Sequence, residues 1–147
     1  MIEPLREEHF DDVFRLLTEF VGNTRYAEYL PIEDDFAVGF FDALEDGLSH
    51  VAVVDGIVIG MLLATRHSFW FNKAAKSSME LAWWVSPEYR ASTGAGTRLL
   101  QAYEDAARDE GINYVGLATM DSSGLDRYLT KKGYCKREQA WIKEIGL

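Results

Sequence analysis

The segment Gly94–Gly96 contains the residue types that most directly indicate a ligand. It follows the apolar run Trp83–Val85 and leads at once into an amphipathic helix, in the stretch WWVSPEYRASTGAGTRLL. Backbone N–H groups at a helix start lack partners within the helix, and small residues let a ligand approach them. Together with the helix dipole they favour an anion such as phosphate, and Arg90 and Arg98 can add charge-assisted bonds. A purely structural strand-to-helix turn is the alternative, and no P-loop Gly-Lys-Ser/Thr follows.

Metal chemistry and covalent catalysis have little support. Cys135 is the only cysteine and the three histidines are scattered, so no group of cysteine and histidine has metal-ligand spacing. No Ser/His/Asp or Cys/His arrangement indicates a protein nucleophile. The sequence therefore predicts neither a metal site nor a nucleophilic side chain.

The composition predicts one globular domain over residues 1–147. Hydrophobic residues make up 48% of the chain. No apolar run approaches the roughly 18 residues that span a bilayer. The acidic start of the chain also lacks the pattern of a secretory or mitochondrial leader. We therefore expect a soluble, cytoplasmic protein with no membrane partner.

The net charge of −9 is unevenly distributed along the chain. Residues 1–48 hold 13 of the 24 acidic side chains but 3 of the 15 basic ones. A solvated acidic surface is one explanation, and an acidic rim that attracts a cationic partner is the other. Both argue against a nucleic-acid partner, because such proteins normally carry a basic stripe.

Hydrophobic periodicity predicts the elements that would position the glycine segment. A short strand near residues 2–5 precedes an amphipathic helix over Phe10–Val21, and a second short helix ends near Gly47. Asp55-Gly56 indicates a hairpin between two β-branched strands. A loop around residues 69–78 leads to the strand Met79–Val85, which enters the glycine segment.

The second half of the chain continues as helix, strand, helix and strand. Apolar residues over Leu99–Ala107 form one helix face, INYVGLATM is a buried strand, a short helix stops at Gly133, and KREQAWIKEI is the last strand. The crossover helix makes MELAWWV and INYVGLATM parallel neighbours, whereas the preceding strands are antiparallel. The fold class is therefore α/β (α+β) with a mixed sheet.

The segment VSPEYRASTGAGTRLL resembles the acetyl-coenzyme A (acetyl-CoA) loop of the GNAT N-acetyltransferases. Their pattern is a strand ending Val-x-Pro, then Arg/Gln-x-x-Gly-x-Gly/Ala, then a helix that begins with two aliphatic residues. YLTKKGYCKREQAWIKEI is similar to the family's closing helix, Gly-Tyr/Phe step and final strand. The resemblance implies a GNAT fold, with a central mixed sheet of about six to seven strands and about four flanking helices. The narrower likeness is to small GNAT proteins common in phage genomes, which would place the protein in the host cytoplasm.

The resemblance implies an N-acetyltransferase in which a primary amine attacks acetyl-CoA directly in a ternary complex. The strand backbone at Trp83, Trp84 and Val85 would bind the pantetheine arm and the thioester. The pyrophosphate would lie on N–H groups of Arg90, Ala91, Ser92, Thr93, Gly94, Ala95, Gly96 and Thr97. The acceptor would be a small molecule or a protein amine, and a homodimer is left open.

Two parts of the chain depart from the family pattern. Counted back from Gly94, the Arg/Gln position falls on Ala91, so Arg90 lies one residue early. The family's frequent tyrosine in the last helix corresponds to Leu129, with Tyr128 about 100° away around the helix. The family's frequent asparagine corresponds to Ser122. These departures favour the alternative function, a catalytically idle GNAT-fold module that binds CoA or a protein partner.

An acetyl transfer to an amine requires a base, because the amine arrives protonated. Glu80 opens the strand that leads to the cofactor site, and apolar neighbours would raise the pKa of its carboxyl. An exposed strand end is the alternative for Glu80, and His67 is the second candidate base. Tyr128 is predicted to protonate the leaving thiolate, and a core contact is its alternative role.

Aromatic residues in loops, together with the acidic first third, predict the kind of acceptor. Trp70, Phe71, Tyr26 and Tyr29 are expected to cap a ligand or a partner surface. They suggest a cationic acceptor, such as a polyamine, an aminoglycoside, a lysine side chain or an N-terminal amine, and loose packing of a hydrophobic chain is the alternative explanation.

Overall fold

The computed structural model describes residues 1–28, 30–33, 35–120 and 124–146. Within these ranges one sheet contains five strands: β1 (Ile2–Pro4), β2 (His50–Val54), β3 (Ile57–Phe69), β4 (Asn72–Val85) and β5 (Tyr114–Gly116). Four helices accompany it: α1 (Phe10–Gly22), α2 (Pro87–Thr93), α3 (Ala95–Asp109) and α4 (Asp126–Lys131). The strand order is β1-β2-β3-β4-β5, with antiparallel pairs up to β4 and a parallel β4-β5 pair. The predicted mixed sheet is confirmed, with five strands rather than six to seven.

The turn between β2 and β3 forms where the sequence predicted it. Asp55 and Gly56 both have positive φ angles, of 51° and 78°. A two-residue turn with positive φ at both positions matches the right-handed twist of the strands on either side. Local residue chemistry is therefore sufficient to place this hairpin.

The predicted loop over residues 69–78 is wrong, because this region belongs to a long β3-β4 hairpin. Pairing runs from Gly60 opposite Val85 to Phe69 opposite Asn72, and only Trp70 and Phe71 form the turn. Residues 73–78 are lysine, alanine and serine, which have little β propensity of their own. Their strand conformation is supported by hydrogen bonding to β3, which a local pattern does not reveal.

The two faces of the sheet are covered by different helices. On one face α1 contributes Val13, Leu16 and Leu17 to a buried cluster that also includes Phe41 and Met61. On the other face, α3 packs on the sheet through a second set of buried residues: Ala95, Leu99, Leu100, Tyr103 and Ala107. The sheet is thus the middle layer, and a ligand that reaches both faces must pass at a strand edge or between strands.

Two predicted elements at the ends of the chain differ from the structure. The second helix of the N-terminal third is a series of turns with one short 3-10 helix, Asp42–Leu44. The final strand is absent from residues 134–146, where Trp141 and Ile145 are 88% and 92% exposed. A strand requires a paired neighbour for its backbone hydrogen bonds. The strand β5 has only three residues, fewer than the predicted INYVGLATM strand, and therefore offers little edge for such pairing. No helix in the described ranges combines the length and apolar composition needed to cross a membrane.

Candidate active site

The strands β4 and β5 pair over a short distance and then separate. Their pairing joins Ser77–Met79 to Tyr114–Gly116 and ends there, although β4 continues to Val85. On its other side β4 contains a β-bulge, because Ala82 lies opposite Leu63 and Glu80 opposite Ala64, which leaves Leu81 as the extra residue. A cleft therefore opens between β4 and residues 117–120 of the described chain.

Glu80 lies at the point where the two strands separate. Its side chain is buried, with the residue 6% exposed, and its Oε2 accepts a hydrogen bond from the backbone N–H of Ala118 at 3.1 Å. Burial raises the pKa of Glu80 to about 7, and the bond from Ala118 offsets part of that rise. Such a carboxyl can both accept and release a proton near neutral pH.

Three tyrosines, Tyr103, Tyr128 and Tyr134, pack on the α3 face of the sheet, and Tyr103 lies near enough to Glu80 for the carboxylate charge to act on it. Tyr103 is fully buried and donates to Ser78 Oγ at 2.8 Å. Its burial raises the pKa to about 12, and the charge of Glu80 adds to the rise. Burial also raises the pKa of Tyr134, which donates to Glu104 Oε1 at 2.8 Å.

Tyr128 differs from the other two tyrosines because its hydroxyl has no protein partner. Within the described ranges, this hydroxyl is the one buried side-chain oxygen or nitrogen that lacks a hydrogen bond. A buried polar group without a partner costs free energy, so it is rare in native proteins. The neighbouring residue, Leu129, packs into the same α3-side core. The hydroxyl of Tyr128 is thus a buried group whose hydrogen-bonding capacity no described protein atom uses.

The predicted loop over Arg90–Gly96 is wrong, because most of this segment is helical. Residues up to Thr93 form α2, Gly94 follows with a φ of 62°, and α3 begins at Ala95. Pro87 starts α2, a position where its fixed φ favours a helix. Amides in the last turn of a helix bond to carbonyls one turn earlier. The backbone N–H groups that can still bind an anion are therefore those of Gly96 and Thr97 at the start of α3. Ala95 N–H already donates to Thr93 Oγ1.

Arg90 binds the end of β4, one element away from the start of α3. Its Nε donates to the backbone carbonyl of Val85 at 2.8 Å, and its guanidinium carbon lies 4.2 Å from the centre of the Trp84 ring. Trp84 Nε1 and Ser86 Oγ both donate to Glu19 of α1, at 3.1 and 2.9 Å. These contacts fix the position of the strand end from both sides. The role of Glu19 is not visible in the sequence, because it depends on a contact 65 residues away.

Trp83 connects β4 to the start of α3. Its Nε1 donates to the carbonyl of Gly96 at 3.2 Å. A Cβ at Gly96 would lie 3.9 Å from both Trp83 and Val85, which is ordinary contact, whereas Gly94 requires glycine for its positive φ. The sequence-predicted residues Trp83, Val85, Gly94 and Gly96 therefore lie together at one end of the sheet.

An apolar cleft lies on the α1 side of the separated strands. Its volume is about 420 Å³. The lining comes from the end of α1, the segment after it, the bulge of β4 and the chain after β5: Phe20, Val21, Thr24, Tyr26, Leu30, Pro31, Ile32, Leu81 and Met120. Leu81 and Met120 are 44% and 41% exposed, so both present apolar surface to the cleft. Leu81, the bulge residue in the lining, directly follows Glu80 in the sequence.

Comparison with known families identifies the fold. The model of the "Acetyltransferase (GNAT) family" matches residues 10–134. The chain belongs to the GNAT acetyltransferase family. Comparison with curated proteins gives no match.

Solved structures of similar fold include proteins with different names. Aminoglycoside acetyltransferase AAC(6')-Iy, in complex with the bisubstrate analogue CoA-S-monomethyl-acetylneamine, has a TM-score of 0.74 and 14% identity, covering 100% of this chain and 98% of that one. A Trypanosoma brucei acetyltransferase has a TM-score of 0.75 and 15% identity, with 99% of each chain covered. A transcriptional regulator from Bacillus halodurans has a TM-score of 0.76 and 13% identity, again with 99% of each chain covered. At these identities the likeness establishes the fold.

Some residues that the sequence singled out lie away from the cleft of this GNAT chain. His67 pairs with Ser77, three positions along β3 from the residue opposite Glu80, which is roughly 10 Å. Its Nε2 lies 3.3 Å from Ser77 Oγ, in the region where β4 and β5 are still paired. Trp70 and Phe71 lie at the hairpin turn, 88% and 69% exposed, rather than over the cleft.

Other sequence predictions have mixed outcomes. Tyr26 does line the apolar cleft of the GNAT chain. Tyr29 and Ser122 lie outside the described residues. In the described part of the chain, the grouped potential metal ligands are Glu3, Glu8 and His9, with ligand atoms within 4.8 Å of one another. They lie on and after β1, at the sheet edge opposite the cleft.

Proposed function

We propose that residues 1–147 act as one N-acetyltransferase domain, which transfers the acetyl group of acetyl-CoA directly to a primary amine. Membership of the GNAT family supports acetyl transfer. The observation that carries the proposal is Glu80, a buried carboxyl with a pKa of about 7 where β4 and β5 separate. A base in this position removes the ammonium proton so that the amine nitrogen becomes a nucleophile.

The residues present fit acetyl-CoA in two respects. The amides of Gly96 and Thr97 at the start of α3 suit the pyrophosphate, because helix N-termini favour anions. The buried hydroxyl of Tyr128 lacks a protein partner and can donate to the sulfur atom. The backbone of Trp83, Trp84 and Val85, which has no pairing to β5, remains the proposed support for the pantetheine arm.

The chemistry assigns proton transfers to two side chains. Acetyl-CoA supplies an activated thioester carbonyl. Glu80 accepts a proton from the acceptor ammonium, the amine nitrogen forms a bond to the carbonyl carbon, and the bond from carbon to sulfur breaks. Tyr128 gives its proton to the departing sulfur and is reprotonated by the second proton that the acetylated nitrogen loses, while Glu80 releases the first one to solvent. No protein nucleophile takes part, and holding both substrates together provides much of the acceleration.

The acceptor in this proposal is cationic before it reacts. A primary amine is protonated near neutral pH, and the first 48 residues carry most of the acidic excess of the chain. Glu33 and Asp35 follow the cleft residue Ile32 in the chain and are exposed, so they increase the local concentration of a cation. The solved relatives include enzymes named for aminoglycosides, which are cationic amines.

The alternative is a catalytically idle module that binds CoA. This alternative is supported by Arg90, whose guanidinium contacts the Val85 carbonyl and the Trp84 ring instead of pointing to an anion site. The backbone N–H groups of α3 then remain as the main anion contacts. The test incubates purified protein with acetyl-CoA and a panel of primary amines, and measures acetylated amine by mass spectrometry and released thiol by colorimetry. Enzymatic transfer that falls about 100-fold in Glu80→Gln is the expected result. Acetyl-CoA binding without transfer to any amine would establish the idle module instead.

A further inference from the structure

We infer that the acceptor amine is carried on an apolar body, an alkyl chain or an aromatic group, that lies in the cleft between α1, residues 30–32, Leu81 and Met120. This inference rests on the proposed function, since it names the substrate class for that site. It narrows the acceptor to a molecule with one ammonium group and an otherwise apolar surface.

The lining of the cleft carries the inference. Seven of the nine lining side chains are entirely apolar, and none is a carboxylic acid, an amine, a guanidine or an imidazole. The hydroxyl of Thr24 already donates to the carbonyl of Val21 at 2.7 Å, so it is not a free donor for a ligand. A second ammonium or several hydroxyls placed here would lose water without gaining hydrogen bonds, and this desolvation is unfavourable.

The backbone arrangement connects this apolar surface to the reacting end of the substrate. The bulge in β4 turns Leu81 towards the α1 side, and its chain neighbour Glu80 is held by Ala118 at the strand separation. Glu80 does not line the cleft and lies on the α3 face near Tyr103, so an amine whose body lies against Leu81 reaches the carboxyl through the gap where β4 and β5 separate. The bulge thus places an apolar side chain and the proposed base on the two sides of that gap.

One wall of the cleft is packed against the sheet, and the cleft has the right size for a small apolar group. Phe20 packs edge to face against Trp84, with ring centres 6.0 Å apart, and Trp84 is fixed by its bond to Glu19. A dry apolar cavity of roughly 150 Å³ suffices for benzene. The cleft of about 420 Å³ therefore accommodates a larger alkyl or aromatic body.

The experiment compares two amines that differ at one end only. Heptylamine and 1,6-diaminohexane have the same number of chain atoms, but heptylamine ends in a methyl group where the diamine ends in a second ammonium. We expect kcat/KM for heptylamine to exceed that for the diamine by about tenfold or more, because the diamine must place a charge on the apolar wall. Each CH₂ added from propylamine to heptylamine should raise kcat/KM about threefold while it remains in the cleft.

Two variants test whether this preference arises in the cleft. Leu30→Asp places a carboxylate in the lining and should reduce the preference for heptylamine at least fivefold. Val38→Asp is the matched control, because Val38 is 86% exposed, lies in the same part of the chain and does not line the cleft. It should leave the ratio unchanged.

The possible results separate the inference from the proposed function. A diamine that reacts as well as heptylamine overturns the inference and leaves the proposed acetyl transfer standing. Equal effects of Leu30→Asp and Val38→Asp overturn it in the same way. No transfer to any amine, with acetyl-CoA bound, contradicts the proposed function itself.

Discussion

The carboxylate of Glu80 accepts the backbone N–H of Ala118 at 3.1 Å, across the gap where β4 and β5 are no longer paired. One side chain therefore bridges β4 and the chain just after β5, and its carboxylate lies at the gap between them. Its burial and its position have the same structural origin, because a carboxyl in this gap is shielded by the sheet and by α3. Both properties lead to measurable consequences.

The first prediction is that Glu80 sets the acidic limb of the pH-rate profile. With a pKa of about 7, the carboxyl becomes a base only as the pH rises towards 7, so kcat should increase through that range. Glu80→Gln retains an acceptor for Ala118 N–H but cannot accept the amine proton. Steady-state assays should show kcat reduced by about 100-fold and the acidic limb lost. A variant with wild-type kcat and the same limb would exclude Glu80 as the base.

The second prediction concerns the stability of the same variant. The pKa of Glu80 is raised from its ordinary value of 4.5 to about 7 in the folded protein. The contribution of Glu80 to stability is therefore fully present below pH 4.5 and is lost as the pH rises through 7, on the order of 3 kcal/mol. Urea unfolding should show Glu80→Gln more stable than the wild type at pH 8, with the difference largely gone at pH 5. A difference that is independent of pH would contradict the buried carboxyl.

The third prediction separates stability from catalysis at Tyr128. Tyr128→Phe removes a buried hydroxyl without a partner, so the free energy of unfolding should stay equal or rise by about 1 kcal/mol. The turnover number should fall, because the departing thiolate loses its proton donor. Tyr134→Phe is the control, since it deprives Glu104 of a hydrogen bond and should not stabilise the fold. An unchanged turnover number in Tyr128→Phe would exclude Tyr128 as the proton donor and leave it a packing role only.

The fourth prediction concerns Gly60, which lies under the end of β4. A Cβ there would approach Val85 Cγ2 at 2.9 Å, the carbonyl of Trp84 at 3.1 Å and Leu99 Cδ1 at 3.3 Å. Gly60→Ala should therefore lower the free energy of unfolding by about 1–3 kcal/mol. Gly22→Ala, where a Cβ meets nothing within 4 Å, is the matched control and should be neutral or mildly stabilising. Equal unfolding midpoints for the two variants would contradict the close packing of β4 against β3 and α3 at Gly60.

The residues with local signals were predictable from the sequence. The residue pair Asp55-Gly56 predicts a turn, because these residue types adopt the positive φ angles that the turn requires. The apolar neighbours of Glu80 in the sequence predict its raised pKa. The small residues and glycines around Gly94 predict a loop where α2 forms, although Pro87 is a favourable first helical residue.

The features that depend on distant parts of the chain were not predictable in this way. The long hairpin arises from pairing with β3, the contact between Glu80 and Ala118 spans 38 residues, and the link between Trp84 and Glu19 spans 65. The predicted final strand lacks a paired neighbour in residues 134–146, although its residues have a strand-like pattern. Pairing partners, rather than residue type, decide these elements.

Calorimetric titration of acetyl-CoA into wild type, Thr97→Asp and Thr97→Asn tests the central claim, that the start of α3 holds the cosubstrate beside the cleft. Thr97 is exposed on the first turn of α3, where an aspartate is favourable to the helix but repels a pyrophosphate. The account predicts that Thr97→Asp unfolds no more readily than the wild type yet binds acetyl-CoA at least tenfold more weakly, whereas Thr97→Asn binds within about twofold of the wild type. Equal affinity of all three proteins for acetyl-CoA, or no binding by the wild type, would contradict it.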